Sequence, residues 1–367
     1  MLEEEYMRFA IQLASQIKGQ TTPNPPVGAV VVNGNRIVGL GAHLSYGEAH
    51  AEVIALEMAG EKAEGATVYV TLEPCSHFGK TPPCADYVIK RKVQRVVIAC
   101  EDPNEKVAGK GIEKLKAAGI DVKVGCLEEE AKSLYDKFFH YITTKLPYIT
   151  VKSAVSIDGK TATSTLESKW ITNEAARIDA HTYRHQHDAI LVGVHTIMED
   201  NPRLTTRIKS GRNPIRIILD THLRTPIDAN VVIDQHAETW IFVGNHVSRE
   251  QINEFTKLGI TIFQMESDNI SIEKVLQKLG AEKVTSLLVE GGATVNSSFL
   301  KSKHINQLIM YISPIIIGGN MAPGAFGGQG FKRLADTLKL QIKELKQIEG
   351  QIKIVALKEE NDVYRNR

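Results

Sequence analysis

The sequence predicts an α/β protein built from two consecutive domains, and three observations support this. The chain of 367 residues is longer than one typical domain. Apolar runs of strand character alternate with runs of helical spacing in both halves, as in α/β folds. Lys145-Leu146-Pro147 interrupts the pattern near the middle, because proline cannot donate a backbone hydrogen bond. We therefore expect domains at residues 1–146 and 147–367.

The first half begins with a predicted helix over residues 4–17, where apolar residues recur at helical spacing. A predicted hairpin follows, because two β-branched runs at 27–32 and 37–40 flank the turn Asn33-Gly34-Asn35. The further helices are expected near 51–60, 84–91, 110–118 and 128–143, and the further strands at 67–72, 95–100 and 122–124. This alternation predicts a sheet with helices on both faces.

The second half repeats the alternation. Strands are predicted at 148–155, 189–192, 215–219, 239–243, 260–263 and 285–289, with a helix near 173–184 and further helices between strands. At the end, two strand-like runs at 338–345 and 351–357 flank Glu349-Gly350. These runs predict a terminal antiparallel hairpin.

Composition excludes several classes of protein. The 44 Lys and Arg residues nearly balance the 43 Asp and Glu residues, and neither half has the basic excess typical of a duplex nucleic-acid binder. The most apolar stretch, residues 308–317, contains Ser313 and Pro314 and is too short for a membrane helix. The acidic start does not resemble a signal peptide, and four cysteines do not indicate a disulfide framework. We expect a cytoplasmic protein without nucleic-acid or membrane partners.

One cluster in the first half indicates a metal centre. His50, Cys75 and Cys84 offer one imidazole and two thiolates, a set that binds Zn²⁺ and leaves a fourth position for water. Glu52 follows His50 by two residues, at the start of a predicted helix, where a carboxylate can move protons to and from a zinc-activated water. The H-x-E and P-C pattern is typical of zinc deaminases. The alternative is a capping or core histidine beside two inert buried thiols; Cys100 and Cys126 are expected in the core.

The motif around the two cysteines is more specific. Nucleoside and tRNA deaminases space them as P-C-x-x-C, whereas eight residues lie here between Cys75 and Cys84. The stretch Thr-Leu-Glu-Pro-Cys-Ser-His-Phe-Gly-Lys-Thr-Pro-Pro-Cys, together with Asn-Pro-Pro-Val-Gly-Ala at 24–29, Gly-Leu-Gly-Ala-His at 39–43 and Glu-Asp-Pro-Asn at 101–104, resembles the pyrimidine deaminases of the riboflavin pathway, a branch of the cytidine deaminase superfamily.

The resemblance implies a cytidine-deaminase-like α/β/α sandwich that binds one Zn²⁺ per chain. It also implies a substrate, a diaminopyrimidinone that carries a phosphoribosylamino group and exchanges its ring 2-amino group for oxygen. The substrate contacts that it implies are Asn24, His43, His77, Lys80 and Asn104. Lys80 also suits a phosphate chemically, although a solvated surface lysine is the alternative.

In the second half, a β-branched run meets two glycines in Val-Glu-Gly-Gly-Ala-Thr-Val-Asn at 289–296, just before an amphipathic helix. A glycine turn at a helix amino terminus is a ready phosphate site, although Gly-Gly is also common in plain tight turns. Three more motifs accompany it, Ser-Ile-Asp-Gly-Lys at 156–160, Ser-Lys-Trp-Ile-Thr at 168–172 and Gly-Val-His-Thr at 193–196, followed by Asp-Asn-Pro-Arg-Leu-Thr-Thr-Arg at 200–207. Together they resemble the reductases of the same pathway.

This second resemblance implies a dihydrofolate-reductase-like α/β domain that reduces the deaminated product with NADPH, opening the ribose to a ribityl chain. The NADPH contacts that it implies are Ala154, Trp170, Thr196, Asp200, Thr221, Gly292, Ala293, Thr294, Val295, Asn296, Ser297 and Ser298. The implied substrate contacts are Ser168, Arg184, Leu204, Arg207 and Glu290, and a guanidinium fork suits the substrate phosphate. Lys152 and Asp200 are candidates for proton transfer.

The order of deaminase then reductase resembles the bacterial bifunctional enzymes of riboflavin biosynthesis, which also implies a homo-oligomer. Two other hypotheses remain at this point: a nucleic-acid deaminase fused to an unrelated domain, and a binding protein that keeps zinc as a structural ion. Glu52 argues against the second, because a structural zinc site needs no proton shuttle. His181, His185 and His187 lie in a polar helical stretch and are expected to face solvent.

Overall fold

The structure, a computed structural model, describes residues 2–104 and 107–359. It contains two compact units, Met1–Lys145 and Leu146–Arg367, and the division falls beside Pro147. The two domains expected from the sequence include Met1, residues 105–106 and residues 360–367. These positions lie outside the described residues. Among the described residues, no helix combines the length and the apolar character needed to cross a membrane.

The first unit contains a five-stranded sheet between helices. Its elements are α1 (Glu3–Gln16), β1 (Gly28–Asn33), β2 (Arg36–Ala42), α2 (Ala51–Ala59), β3 (Thr67–Leu72), α3 (Cys84–Lys90), β4 (Arg95–Cys100), α4 (Lys110–Ala117), β5 (Asp121–Val124) and α5 (Glu128–Thr144). The strand order is β2-β1-β3-β4-β5. Strand β1 is antiparallel to β2 and β3, and β3, β4 and β5 are parallel. The predicted hairpin and alternation are confirmed.

Alternating side chains of β1 produce the layered core, because successive residues of a strand point to opposite faces. Ala29 and Val31 pack with α2 on one face, and Val30 packs with α1 and α5 on the other. Helix α2 lies directly on β2: a Cβ on Gly39 or Gly41 would come within 2.0 or 2.1 Å of an α2 carbonyl oxygen. Only glycine permits this approach, which fixes the amino terminus of α2 against the sheet.

The second unit has a nine-stranded mixed sheet. Its elements are β6 (Tyr148–Ser156), α6 (Glu174–Gln186), β7 (Ala189–Gly193), α7 (Val194–Asp200), β8 (Ile215–Leu219), α8 (Asn230–Ile233), β9 (Thr239–Val243), α9 (Arg249–Lys257), β10 (Thr261–Gln264), α10 (Ile272–Ala281), β11 (Ser286–Val289), α11 (Ala293–Ser302), β12 (Gln307–Ser313), β13 (Leu340–Ile348) and β14 (Gln351–Lys358). The strand order is β10-β9-β8-β7-β11-β6-β12-β14-β13.

The first seven strands of this order, from β10 at the edge to β12, are parallel to one another. The terminal hairpin of β13 and β14 pairs with β12 in the antiparallel direction, through β14. The terminal hairpin was predicted, and it is confirmed. Strand β12 was not predicted, although it lies in the apolar stretch 308–317, where the sequence was tested only for a membrane helix. Side chains of β7 alternate between two cores: Leu191 packs on the side of α10 and α11, and Ile190 and Val192 pack on the opposite face.

Candidate active sites

Three elements of the first unit bring the metal-binding candidates together. His50 is the residue that precedes α2, Cys84 is the first residue of α3, and Cys75 lies on the loop that follows β3. The ligand atoms of the three residues all lie within 4.8 Å of one another. His50 Nδ1 is 3.6 Å from Cys75 Sγ and 3.2 Å from Cys84 Sγ. One nitrogen and two sulfur donors at this spacing fit zinc.

The environment favours one thiolate in this group even before a metal binds. The pKa of Cys75 is lowered to about 4, because the Cys84 thiol, the His50 ring and the backbone N–H of Cys84 donate hydrogen bonds to its sulfur. That backbone N–H lies 3.3 Å from Cys75 Sγ. The pKa of Cys84 is raised by its bond to Cys75 and by burial. The two neighbouring thiols therefore do not both ionise easily. A metal cation bound between the two sulfurs would stabilise both thiolates. Both cysteines are free thiols.

Glu52 lies in the first turn of α2 and is almost fully buried. Burial raises the pKa of its carboxyl group to about 7, so the group can both take up and release a proton near neutral pH. Its Oε2 atom has no hydrogen-bond partner within the described part of the chain. A buried carboxylate oxygen without a partner is costly unless a bound molecule satisfies it, which fits a role in proton transfer to a substrate.

Two of the predicted substrate contacts lie next to the metal group. His43 is buried, and its ring packs edge-on against the ring of His50 with 4.9 Å between centroids. His43 Nδ1 lies 3.2 Å from the carbonyl oxygen of Ala49, and its Nε2 lies 3.1 Å from the side-chain nitrogen of Asn24. Because a carbonyl only accepts, Nδ1 carries the proton and Nε2 accepts from Asn24. Burial also lowers the pKa of His43.

The other three candidates of the first unit lie on loops. His77 and Lys80 are exposed on the loop between Cys75 and Cys84. The Nζ atom of Lys80 lies 4.1 Å from the ring centroid of Tyr46, which places this lysine over the loop between β2 and α2. Asn104 is half-buried on the loop after β4, and its backbone N–H donates to Asp102 Oδ1 at 2.8 Å.

Sequence reasoning missed Glu73, the residue two positions before Cys75. Its buried carboxylate accepts hydrogen bonds from the backbone N–H groups of Asp102, Gly109, Gly111 and Ile112, at 2.9 to 3.3 Å. It therefore ties the loop that carries Cys75 to the loop after β4 and to the start of α4. The motif Thr-Leu-Glu-Pro-Cys contained this residue, but nothing in its spacing indicated its partners.

In the second unit, charged candidates meet where β6 and β11 run side by side. Glu290 follows β11, and Val289 of that strand pairs with Val151 of β6. Lys152 therefore lies level with Glu290, and its Nζ atom is 3.6 Å from Glu290 Oε2. Arg184 of α6 donates from Nε and Nη2 to the two carboxylate oxygens of Glu290, at 3.1 and 2.8 Å.

This cluster is buried, which determines its charge state. Burial alone would raise the pKa of Glu290, but the neighbouring Arg184 and Lys152 outweigh it and hold that pKa well below its usual range. The third guanidinium nitrogen of Arg184 donates to the carbonyl oxygen of Thr205 at 3.0 Å. Three of the five N–H groups of the guanidinium thus have protein acceptors. One further N–H on each Nη atom is not used in these bonds, so the geometry leaves the expected substrate contact of Arg184 open.

The remaining substrate candidates of the second unit, Ser168, Leu204 and Arg207, lie on loops. Leu204 is buried and has a positive φ of 53°. Arg207, three residues later, is exposed, so its guanidinium group can reach a ligand in solvent. Ser168 is half-buried.

Two cofactor candidates are already paired with other side chains. Asp200, also a candidate for proton transfer, forms an ion pair with Lys169, at 2.8 Å between Oδ1 and Nζ. The sequence did not indicate this partner. Trp170 is 67% exposed, and the guanidinium carbon of Arg177 lies 4.6 Å from its ring centroid. Ala154 on β6, Thr196 on α7 and Thr221 after β8 are half-buried.

The glycine turn before α11 is open. Gly292 precedes the helix without a side-chain cap, and both Gly292 and Thr294 are exposed. Uncapped N–H groups at a helix amino terminus fit a phosphate. The side chains of Asn296 and Ser297 are buried instead, and they donate to the carbonyl oxygens of Ala325 and Gly327.

The expectation that the three histidines of α6 and its end face solvent is wrong. His187 is 1% exposed, and its ring contacts the Thr150 hydroxyl at 2.9 Å and the Tyr183 carbonyl oxygen at 2.7 Å. His185 is half-buried and accepts from the backbone N–H of Arg212. His181 is half-buried, and burial together with Arg184 lowers its pKa to about 4. These histidines are buried or half-buried because α6 packs against the sheet along this side. The polar composition of the stretch gave no indication of that burial.

Two family models match this chain, one in each half. Residues 1–100 match the cytidine and deoxycytidylate deaminase zinc-binding region, and residues 147–354 match the RibD C-terminal domain. The cytidine-deaminase-like and reductase folds expected from the sequence are therefore confirmed. The zinc centre is part of the matched deaminase region, and NADPH is the cofactor of the matched reductase family.

The full-length relatives are riboflavin biosynthesis proteins. The chain is 52% identical to the riboflavin biosynthesis protein RibD of Bacillus amyloliquefaciens, covering 100% of both chains, and 40% identical to that of Escherichia coli (strain K12), covering 95% of this chain and 97% of the relative.

Two solved structures are also similar over almost the whole chain. RibD of Acinetobacter baumannii matches with a TM-score of 0.89 at 36% identity, covering 97% of this chain and 99% of the other. A diaminohydroxyphosphoribosylaminopyrimidine deaminase/5-amino-6-(5-phosphoribosylamino)uracil reductase of Thermotoga maritima matches with a TM-score of 0.87 at 36% identity, covering 97% and 98%. The chain belongs to the RibD family of riboflavin biosynthesis proteins.

Proposed function

We propose that this chain catalyses two consecutive reactions of riboflavin biosynthesis. Residues 1–146 remove the 2-amino group of 2,5-diamino-6-(5-phosphoribosylamino)pyrimidin-4-one with water, and residues 147–367 reduce the ribosyl group of the product to ribityl with NADPH. The observation that carries this proposal is a His-Cys-Cys metal group together with the buried carboxylate of Glu52, whose Oε2 atom has no hydrogen-bond partner within the described residues. A purely structural zinc site has no use for such a carboxylate.

In the first reaction, water adds to the ring carbon and the exocyclic C–N bond breaks, so that a carbonyl group and ammonia are formed. His50, Cys75 and Cys84 would hold zinc, which lowers the pKa of water and supplies a nucleophile at neutral pH. Glu52 takes one proton from the water at Oε2 and gives it to the ring nitrogen; it then carries the proton of the added hydroxyl group to the leaving amino group. Its pKa of about 7 suits both transfers.

The substrate ring is positioned by the pair of Asn24 and His43. Their mutual hydrogen bond fixes the orientation of both side chains beside the metal group, so either can bind a polar edge of the pyrimidinone. Lys80 and His77, on the exposed loop between the two cysteines, would bind the ribose phosphate, and Asn104 would complete the pocket. The cation of Lys80 matches a phosphate in charge.

In the second reaction, bound NADPH would supply the hydride that reduces the anomeric carbon of the ribose. Ala154, Trp170, Thr196, Asp200, Thr221 and the residues from Gly292 to Ser298 would bind the cofactor, with its phosphates at the uncapped N–H groups of α11. Lys152 and Asp200 are the groups that can give a proton to the ring oxygen as the sugar opens. Ser168, Arg184, Leu204, Arg207 and Glu290 would contact the substrate.

Arg184 also has a structural task in this proposal. Glu290 and Thr205 accept from three of its five N–H groups, so it fixes the carboxylate of Glu290 and the loop of Leu204. Its other two N–H groups and the exposed guanidinium group of Arg207 would bind the substrate phosphate. We also propose a homo-oligomer and a cytoplasmic location; the second agrees with four cysteines that are all free thiols.

One preparation can test the two activities together. Zinc content is measured by elemental analysis, ammonia release with the diaminopyrimidinone ribosyl phosphate, and loss of NADPH absorbance with the deaminated substrate. We expect about one zinc per chain and both activities. Ammonia release without NADPH oxidation would contradict the reductase assignment, and a metal-replete protein without ammonia release would contradict the deaminase assignment.

A further inference from the structure

The motif Ser156-Ile157-Asp158-Gly159-Lys160 has no assigned role in either reaction. It lies at the end of β6, where it forms a tight turn: the Gly159 N–H donates to the Ser156 carbonyl oxygen at 2.9 Å, and Gly159 has a positive φ of 80°. The turn faces residues 315–327, a segment without helix or strand that we call the strap. Residues of the motif form hydrogen bonds with the strap at several points.

Asp158 binds the first part of the strap. Its Oδ1 accepts from the backbone N–H of Ile317 at 3.1 Å, and its Oδ2 accepts from that of Gly318 at 2.8 Å. The Ser156 hydroxyl donates to Oδ1 at 2.6 Å and orients the carboxylate. These three donors lower the pKa of Asp158 to about 2, so the group stays charged across the pH range of enzyme assays.

Lys160 and Thr161 bind the middle of the strap. Lys160 Nζ donates to the carbonyl oxygen of Ala322 at 3.0 Å. Both the backbone N–H and the hydroxyl of Thr161 donate to the carbonyl oxygen of Pro323, at 2.8 and 3.2 Å. Lys160 also forms an isolated bridge with Gly324. The motif and Thr161 thus contact the strap at residues 317–318 and again at residues 322–324.

The end of the strap is attached to the first turn of α11. The Gly327 N–H donates to the Ala293 carbonyl oxygen at 3.1 Å, and the Ser297 hydroxyl donates to the Gly327 carbonyl oxygen at 2.6 Å. The buried side chain of Asn296 donates to the Ala325 carbonyl oxygen at 2.9 Å. A Cβ on Gly327 would lie 3.2 Å from Ala293, so the strap and the helix are in close contact.

These contacts form one chain of interactions from the end of β6 to the amino terminus of α11. We propose that Asp158 and Lys160 are positioning residues of the NADPH site, which hold the strap and, through it, the first turn of α11 in the orientation that binds the cofactor. The inference rests on the proposed function of the second unit, because α11 is there assigned to the cofactor phosphates. Neither residue touches the reacting atoms in this assignment.

The test uses the full-length chain with Asp158→Asn, which keeps the shape of the side chain but removes its charge and one acceptor. Glu254→Gln is the matched control, because it is the same type of change on the exposed side of α9. Hydrogen–deuterium exchange of the strap is measured without nucleotide, and the dissociation constant for NADPH is measured by nucleotide fluorescence. Ammonia release by the first unit reports that the rest of the chain is intact.

We expect Asp158→Asn to speed exchange in the strap and to raise the dissociation constant and the KM for NADPH about tenfold, since two bonds to a charged acceptor are weakened. The kcat at saturating NADPH should change by less than about threefold, because binding and not the transition state is affected. Thr161→Val removes one bond to Pro323 and should show the same changes at a smaller size, which keeps the test valid if Asp158→Asn folds poorly.

Unchanged strap exchange in both variants would overturn the inference, as would faster exchange with an NADPH affinity within twofold of the control. A purely structural role would lower the unfolding temperature without changing the dissociation constant. If the unmodified protein itself does not bind NADPH, the proposed reductase function fails and the inference fails with it. If the unmodified protein binds and Asp158→Asn binds equally well, only the inference fails.

Discussion

Arg184 and Glu290 form a two-point ion pair inside the second unit, with Nε and Nη2 of the arginine 3.1 and 2.8 Å from the two carboxylate oxygens. The two side chains are only 16% and 10% exposed. Lys152 lies beside the same carboxylate at 3.6 Å, so one buried carboxylate contacts two cationic side chains. This cluster links α6 and β6 to the end of β11.

Glu290→Gln should destabilise the second unit. Removal of one partner from a buried ion pair costs about 3–5 kcal/mol, here because Arg184 and Lys152 lose their counter-charge. Urea unfolding followed by tryptophan fluorescence measures this directly, since Trp170 and Trp240, the two tryptophans of the chain, both belong to the second unit. Glu254→Gln should unfold like the unmodified protein, and equal midpoints for Glu290→Gln and the control would contradict the prediction.

The same carboxylate should contribute to the pH dependence of stability. The pKa of Glu290 in the folded protein is below its ordinary value of 4.5, so its stabilising contribution is complete above pH 4.5 and is lost as the pH falls below that value towards the folded pKa. The free energy of unfolding should therefore fall less steeply in Glu290→Gln than in the unmodified protein below about pH 4.5. Equal slopes would contradict this prediction.

Arg207→Ala should weaken binding of the phosphorylated substrate to the reductase. Arg207 is exposed, so its guanidinium group can reach the phosphate, and loss of Arg207 should raise the KM for the substrate about tenfold or more with a smaller effect on kcat. Steady-state NADPH oxidation measures both constants. The same substitution should leave the KM of a substrate without phosphate unchanged, and an equal increase for both substrates would refute a phosphate contact.

Glu52→Gln should abolish ammonia release while zinc stays bound. The glutamine cannot carry the proton between water and leaving group, and loss of such a group lowers the rate by about 10²–10⁴-fold. Zinc analysis and an ammonia assay on the same sample test this, and NADPH-dependent reduction of the deaminated substrate serves as the internal control. Retained deaminase activity would show that the proton-transfer mechanism is wrong.

Removal of the metal should separate the two activities. Within the described residues, one His-Cys group with metal-binding geometry was found, and it lies in the first unit. Treatment with a chelator should therefore stop ammonia release and leave reduction of supplied deaminated substrate largely intact, with recovery of the first activity on addition of zinc. Simultaneous loss of both activities would instead indicate that the metal supports the folding of the whole chain.

Glu73→Gln should weaken zinc binding although Glu73 is not a ligand. The glutamine places an NH₂ group against backbone N–H donors that now share the carboxylate, and loss of such support typically lowers metal affinity about 10–100-fold. Competition with a chromophoric chelator measures the affinity. Glu57→Gln, on the exposed side of α2, is the matched control, and an affinity equal to the control would show that Glu73 does not position Cys75.

Features that depend on neighbouring residues could be predicted from the sequence alone. The alternation of strands and helices follows from local apolar periodicity, and His50, Glu52, Cys75 and Cys84 carry their chemistry in residue type and short spacing. The terminal hairpin was predictable for the same reason, because its turn and both strands are contiguous. Strand β12 was missed because a short apolar run has no periodicity that separates a buried strand from other buried segments.

The pairing of polar groups, in contrast, became visible only in the folded chain. Arg184 and Glu290 are 106 residues apart, Glu73 and Gly111 are 38 apart, and Asp158 and Gly318 are 160 apart. Such pairs have no spacing rule, because distance along the chain is unrelated to distance in space once the sheet has formed. The burial of His187 and the engagement of Arg184 were settled in the same way, by which faces of α6 the folded sheet covers.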